Sequence, residues 1–162
     1  MPVSDDIFRD LLGRFPSGVT IVTTTDGSGR PHGMTVSAFC SLSLKPPLVL
    51  VCIDRAASMF DLLASGRPFA VNLLAGDQAH LSSRFAQLDA ETRFDDVAHS
   101  LGALGVPLVH GVQASLECRV AARHDGGDHA IFVGQVEHGS VEGSSRPPLV
   151  YHRGRYRQLG EG

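Results

Sequence analysis

Three features of the chain predict a mainly β, antiparallel fold that closes into a barrel, with two or three short helices outside it. Residues 33–44 (G-M-T-V-S-A-F-C-S-L-S-L) alternate between apolar and small polar side chains over their whole length. Residues 18–25 are rich in β-branched side chains, and the turn sequence D-G-S-G-R joins them to that stretch as an antiparallel hairpin. A second pair of strands, over residues 112–124 and 130–141, is joined by D-G-G-D. About seven strands follow from such patterns, most connections are turns, and full closure removes exposed strand edges.

In chain order, Ser4 is placed to cap a first helix, with Asp5 and Asp6 in its first turn. Ile7, Phe8, Leu11, Leu12 and Phe15 give that helix one apolar side, and Pro16 and Gly18 end it. After the first hairpin, K-P-P breaks the alternating strand. Residues 48–53 are continuously apolar, which suits a strand covered on both faces. Residues 56–64 read as a short helix stopped by Gly66, and residues 69–74 as another strand. Asp77 is the expected cap of a helix over 78–87. Residues 88–105 lack steady periodicity and are expected to wander over the surface. After the second hairpin, R-P-P breaks the chain again, and two short strands flank an Arg153-Gly154 turn.

The alternating stretch is the most informative element. Met34, Val36, Ala38, Cys40, Leu42 and Leu44 share one face, expected to lie on a core. The other face carries Thr35, Ser37, Ser41 and Ser43 and no charge. A water-facing strand usually carries Lys or Glu, so this face is expected to be covered by another segment, a partner subunit or a ligand.

Composition narrows the function. The 162 residues, 43% apolar and 19% charged, are expected to form one folded domain over 1–162. A net charge of −3 gives no general attraction to nucleic acid or anionic membrane. No apolar run is long enough for a membrane span, and the acidic start M-P-V-S-D-D has no apolar core, so a cytoplasmic protein without a secretory signal is expected. Cys40, Cys52 and Cys118 form no C-x-x-C pair and are read as reduced, mostly buried thiols. G-S-G-R-P-H resembles the start of a dinucleotide fingerprint, but His32 stands where the third glycine belongs and no helix follows. P-loop, H-E-x-x-H and G-x-S-x-G motifs are missing. The eight histidines show no close ligand pair; His124 and His129, straddling a turn, are the one pair weighed for a metal, and none is expected.

Four local features have both a structural and a functional reading. The hydroxyl face of Thr35, Ser37, Ser41 and Ser43 is either strand surface or a ligand contact. Ser58 either satisfies the N–H groups of its own helix or leaves that helix start to hold a phosphate. Arg84, beside Phe85, is a solvated charge or a forked phosphate donor. His129 follows Gly126-Gly127-Asp128 and either starts a strand or faces a ligand, while Asp128 fixes the turn.

Taken in order, these segments resemble the short-chain flavin reductases, the reductase components of two-component flavin-dependent monooxygenases. The likeness runs from Phe8 to about Leu159. It is carried by F-R-D-L-L-G-R-F-P-S-G-V-T-I-V-T, P-H-G-M-T-V-S-A-F-C-S-L-S-L-K-P-P-L-V-L-V-C-I, S-M-F, F-A-V-N-L-L, L-S-S-R-F-A, G-D-H and L-V-Y-H-R-G-R-Y. The resemblance implies a Greek-key, FMN-binding split β-barrel, a homodimer, and hydride transfer from NADH or NADPH to FMN or FAD, with reduced flavin passed to a partner monooxygenase. It implies that Thr35, Val36, Ser37 and Ala38 line the flavin ring, partly through backbone groups. Cys52 and Ile53 would border it, Ser58 and Arg84 would hold its phosphate, and Phe85 would lie beside it. His129 would contact the nicotinamide nucleotide as a positioning group, and Tyr151, His152 and Arg153, with Tyr156, would border the same pocket. No catalytic acid, base or nucleophile is implied, because the hydride passes between cofactors. The same fold could also serve as a non-catalytic FMN-binding electron carrier or sensor. A split-barrel oxidase acting on a pyridoxine phosphate would need extra basic residues, for which Arg153, Arg155 and Arg157 are the only candidates.

Overall fold

A computed structural model describes residues 2–142 and 146–159. The chain opens with helix α1 (Asp5–Gly13), capped by Ser4, whose hydroxyl accepts the Ile7 N–H at 3.4 Å. Strands β1 (Ser17–Gly18), β2 (Thr20–Thr25), β3 (Pro31–Val36), β4 (Phe39–Leu44) and β5 (Pro47–Asp54) follow. Next come α2 (Met59–Ala64), β6 (Phe69–Leu73) and α3 (Ala79–Gln87). The rest is β7 (His99–Leu101), β8 (Pro107–Val109), the long hairpin β9 (Ala114–Gly126) and β10 (His129–Val141), then β11 (Val150–His152) and β12 (Arg155–Arg157).

The main sheet has seven strands in the order β3-β2-β6-β9-β10-β5-β4, antiparallel at every step. Its two edge strands, β3 and β4, are consecutive in the chain. The corner Ser37–Ala38 therefore carries the backbone from one edge to the other, and the sheet must curl round on itself to let it do so. Among the described residues the fold is mainly β with three helices, as the sequence predicts. Inside the curl lie Val22, Val36, Val51, Ile53, Phe69, Val71 and Phe132, with Met59 and Leu63 of α2 in the same cluster. A second cluster holds Ile21, Leu74, Phe85, Val97, Val109 and Leu149.

The alternating stretch is thus two strands and not one. The corner and a bulge between Ser41 and Ser43 reset the alternation. Cys40 lies exposed, and Leu42 and Leu44 are 51% and 83% exposed, so only Val36 and the partly buried Met34 of the predicted core face reach the core. Strand β5 is likewise covered on one face only: Val49, Val51 and Ile53 are buried, while Leu48, Leu50 and Cys52 are half-buried on the other. Helix α1 has the predicted apolar side, yet buries none of it against the chain; Ile7, Phe8, Leu11, Leu12 and Phe15 are all more than half exposed. Gln78 and not Asp77 precedes α3; Asp77 pairs instead with Arg146 at 3.0 Å. His124 stands opposite Ile131 and His129 opposite Gly126, so the two histidines are not cross-strand partners.

The segment expected to wander is held down. Its β7–β8 hairpin is stitched to the barrel by buried polar side chains. The Thr23 hydroxyl donates to the Pro107 carbonyl at 2.5 Å, and the Val109 N–H donates to Asn72 at 2.9 Å. Glu117, 5% exposed, accepts the N–H groups of Ala103 at 3.1 Å and Leu104 at 2.7 Å. A Cβ on Gly102 would lie 2.4 Å from the Glu117 carboxyl carbon, so glycine is required there.

Glu117→Ala removes two charge-assisted acceptors and leaves two N–H groups unpaired, and is expected to lower unfolding free energy by about 2–3 kcal/mol in a urea titration. A change within experimental error would show that the hairpin is held by its other contacts alone. The D-G-S-G-R turn gives a pH prediction. Asp26 accepts the Ser28 hydroxyl at 2.7 Å, faces His32 Nε2 at 3.0 Å, and accepts the N–H groups of Ser28 and Arg30. The Ser28 hydroxyl and then His32 hold its carboxyl well below the usual range. A depressed folded pKa contributes stability that is complete above the unfolded carboxylate pKa and lost as pH falls through the folded value. Asp26→Ala should therefore lower the melting temperature at neutral pH and converge on the parent protein in strong acid.

Candidate functional site

The exposed corner at Ser37–Ala38 is the centre of the site. Its position is fixed from three sides. Thr20 of β2 donates its hydroxyl to the Val36 carbonyl at 2.6 Å. Thr35 donates to the Ser82 carbonyl at 2.6 Å, tying β3 to α3. The Cys52 N–H donates to the Ala38 carbonyl at 3.0 Å, tying the corner to β5. Gly33 lets α3 come this close, since a Cβ there would lie 2.8 Å from the Phe85 ring. The Phe39 N–H turns back to the Ser37 carbonyl at 2.9 Å. Among the described residues, the N–H groups of Ser37 and Ala38 have no partner, so the corner presents two free donors at its surface.

The β5–β10 register carries the site onward. Cys52 is opposite Ile131 and Asp54 opposite His129, so Cys52, Asp54 and His129 share the outward face that begins at Ala38. Two residues along a strand place His129 about 7 Å further on from the level of Cys52. His129 Nδ1 lies 2.7 Å from Asp128 Oδ1, and the histidine holds the Asp128 carboxyl below its usual range. In the neutral ring this fixes the proton on Nδ1 and leaves Nε2 as the open face. Burial, with Cys40 nearby on β4, pushes the Cys52 thiol up, so it stands as a thiol and not a thiolate. Ser58 is exposed at the start of α2 and makes no capping bond, which leaves its hydroxyl available.

Five of the residues expected at the site have side chains that are turned into the core or engaged elsewhere. Val36 and Ile53, 4% and 0% exposed, point into the barrel by strand alternation and can offer only their backbone. Phe85 is fully buried, edge-on to Phe94 at 5.0 Å, and supports β3 from beneath with no surface left for a ligand. Arg84 donates from Nε to the Arg93 carbonyl at 2.7 Å, and from Nη2 to Thr92 at 2.9 Å and Asp95 at 2.7 Å. Its main task is to pin the 92–95 loop, and Nη1 is the nitrogen left for an anion. Arg153 lies against the end of α1, its N–H on the Gly13 carbonyl at 2.9 Å, in a groove of about 310 Å³ with Arg9, Asp10 and Arg14. The C-terminal strands reach α3, the helix that bonds Thr35, through Tyr156 instead. Its hydroxyl donates to Ser82 at 2.8 Å, and Tyr151 leans on its ring at 5.5 Å. Thr20, Ser82 and Arg93, which donates to the Gly33 carbonyl at 2.9 Å, support the site with no local sequence signal. Among the described residues no group of three or more His, Cys, Asp or Glu is arranged to hold a metal ion.

A short run of free backbone donors, hydroxyls, one oriented imidazole and no paired carboxylates suits a planar polar ligand held for reaction with a second one. Comparison with known proteins gives the same direction. The model of the flavin reductase like domain matches residues 12–160. A flavin reductase (NADH) of Kitasatospora aureofaciens is 44% identical over 156 residues, spanning 95% of this chain and 81% of the relative. The reductase subunit HsaB of a flavin-dependent monooxygenase from Mycobacterium tuberculosis is 36% identical over 150 residues, 92% of this chain and 79% of that one. The solved NADH:FAD oxidoreductase SgcE6 of Streptomyces globisporus superposes with a TM-score of 0.90 at 36% identity, covering 100% of this chain and 93% of the other. The outward corner, the histidine face beside it and these matches over nearly the full length agree: the chain belongs to the flavin reductase like domain family.

Proposed function

We propose that this protein is an NAD(P)H-dependent flavin reductase that passes a hydride from NADH or NADPH to FMN or FAD and supplies reduced flavin to a partner monooxygenase. The observation that carries the reading is the Ser37–Ala38 corner, with free N–H donors on the same face as His129. Those donors fit the carbonyl and ring-nitrogen edge of a flavin, and the small side chains allow close approach. When bound, the flavin supplies the electron-accepting ring and the nicotinamide nucleotide supplies the hydride.

The chain's own residues bind and orient. Thr35, Ser37, Ala38 and Cys52 form the wall, with Val36 and Ile53 behind it as backbone. The Ser58 hydroxyl and Nη1 of Arg84 are the phosphate donors of this reading. His129, its Nδ1–H held by Asp128, presents Nε2 to the nicotinamide nucleotide and acts as a positioning residue, since hydride transfer leaves no proton for it to remove. The site lies open at the surface, as release of reduced flavin requires. The relatives named as monooxygenase reductase subunits support the partner.

The same reading includes a homodimer in the cytoplasm. The homodimer is supported by the part of the outward face of β5 away from Cys52, where half-buried Leu48 and Leu50, the latter opposite Val133, continue into exposed Leu42. Covering that face would remove apolar surface from water. No helix of the described residues is long and apolar enough to cross a membrane.

NADH or NADPH should be consumed only when free FMN or FAD is added. A tightly held flavin with no turnover of free flavin would instead make the protein a carrier or sensor. His129→Ala should raise the KM for NADH about tenfold, the loss of one hydrogen bond of ~1.4 kcal/mol, and leave flavin affinity nearly unchanged. Ser58→Ala should do the reverse, weakening flavin by a similar factor with little effect on NADH. Steady-state rates over a grid of both substrates separate the two outcomes.

A further inference from the structure

We infer that Arg55 is a positioning residue that locks the Gly127–Asp128–His129 turn onto the end of β5 and so sets where His129 stands relative to Ser58. The inference rests on the flavin reductase reading. Arg55 holds the turn at three points. Its backbone N–H donates to the Asp128 carbonyl at 3.0 Å. Its Nε donates to the Gly127 carbonyl at 3.2 Å, and its Nη2 to the Asp125 carboxylate at 2.5 Å. The guanidinium lies 5.5 Å from the centroid of Phe60, which itself packs edge-on against Phe132 of β10 at 5.7 Å. An aromatic face beneath and two acceptors in its plane leave the fork one orientation.

The turn needs such an anchor. Gly126 and Gly127 give it little stiffness of its own, and Gly127 adopts φ +71°. Residues 125–128 are exposed, and the β9–β10 ladder ends at the His129–Gly126 pair. On the other side, Asp54 accepts the Ala56 N–H at 2.8 Å and the Ala57 N–H at 3.0 Å, which makes 54–57 a turn leading to Ser58. Arg55 belongs to this turn and is bonded across to the 125–128 turn. The geometry therefore couples the residue that meets the nicotinamide nucleotide to the one that meets the flavin phosphate. An exposed ion pair adds little to global stability, so the expected consequence is local order and not fold.

The test compares the parent enzyme with Arg55→Ala, Arg55→Lys, His129→Ala and the Arg55→Ala/His129→Ala pair. Arg55→Ala is expected to raise the KM for NADH about tenfold, with kcat within about twofold and an unchanged melting temperature. Lysine keeps the charge and loses the fork, so Arg55→Lys should fall between Ala and the parent. If Arg55 acts through His129, the double variant is no worse for NADH than His129→Ala alone. Amide hydrogen exchange over 126–130 should speed up in Arg55→Ala. An unchanged KM for NADH in an active Arg55→Ala enzyme, or effects that multiply in the double variant, would overturn the inference while leaving the reductase reading intact. Should the parent reduce no flavin, that reading falls by itself, and unchanged exchange at 126–130 would still refute the locking role.

Discussion

The rest of the structure depends on one constraint: two strands consecutive in the chain must lie at opposite edges of the same sheet. Ser37 and Ala38 span that junction between β3 and β4. A sheet whose ends are joined by so short a link cannot stay open, so it curls and buries Val22, Val51, Phe69 and Phe132 inside. The same link cannot continue a ladder on both sides, and among the described residues this leaves the Ser37 and Ala38 N–H groups unpaired. Closure of the barrel and the chemistry of the site thus have one origin. A corner that must leave regular pairing is the place where backbone donors become available to a ligand.

Around this frame the connections are held by side chains bonded to backbone and not by apolar packing alone. Asn72 is the hub. Its amide donates to the Ile21 carbonyl at 3.0 Å and the Thr23 hydroxyl at 3.1 Å, and its oxygen accepts from the Val109 N–H and the Ser115 hydroxyl. Thr23, Glu117 and Arg84 do the same for the rest of the 88–110 segment. Buried polar groups without partners are costly, so each of these bonds fixes its loop in one place. The loop in turn carries Arg93 and Phe94 to the back of β3, which keeps the corner where it is.

The site has little chemistry of its own, and that suits its proposed task. A thiol raised by burial, a histidine oriented by an aspartate and a few hydroxyls can hold and align two cofactors without reacting with either. What the protein must supply is relative position. That places the demand on the turns at 54–57 and 126–129, which carry Ser58 and His129 and lie outside the core.

Much of this was legible in the sequence. Alternation, β-branched runs and D-G turns placed the two main hairpins and the antiparallel sheet, because those signals arise from local backbone preference. Ser58, His129 and Ser37 were legible as candidate contacts because small or polar residues at turns stand out against an apolar pattern. The inward burial of Ile53, the loss of Phe85 to the core and the engagement of Arg84 with the 92–95 loop were not, since each depends on what a distant segment brings alongside. The break at Ser37–Ala38 was hidden for the same reason: its residues alternate as well as any strand, and only the pairing of β3 with β2 and β4 with β5 splits them. Local sequence set which residues could form strands and turns; tertiary structure decided which strand neighbours which, and with that which backbone groups remain free to bind.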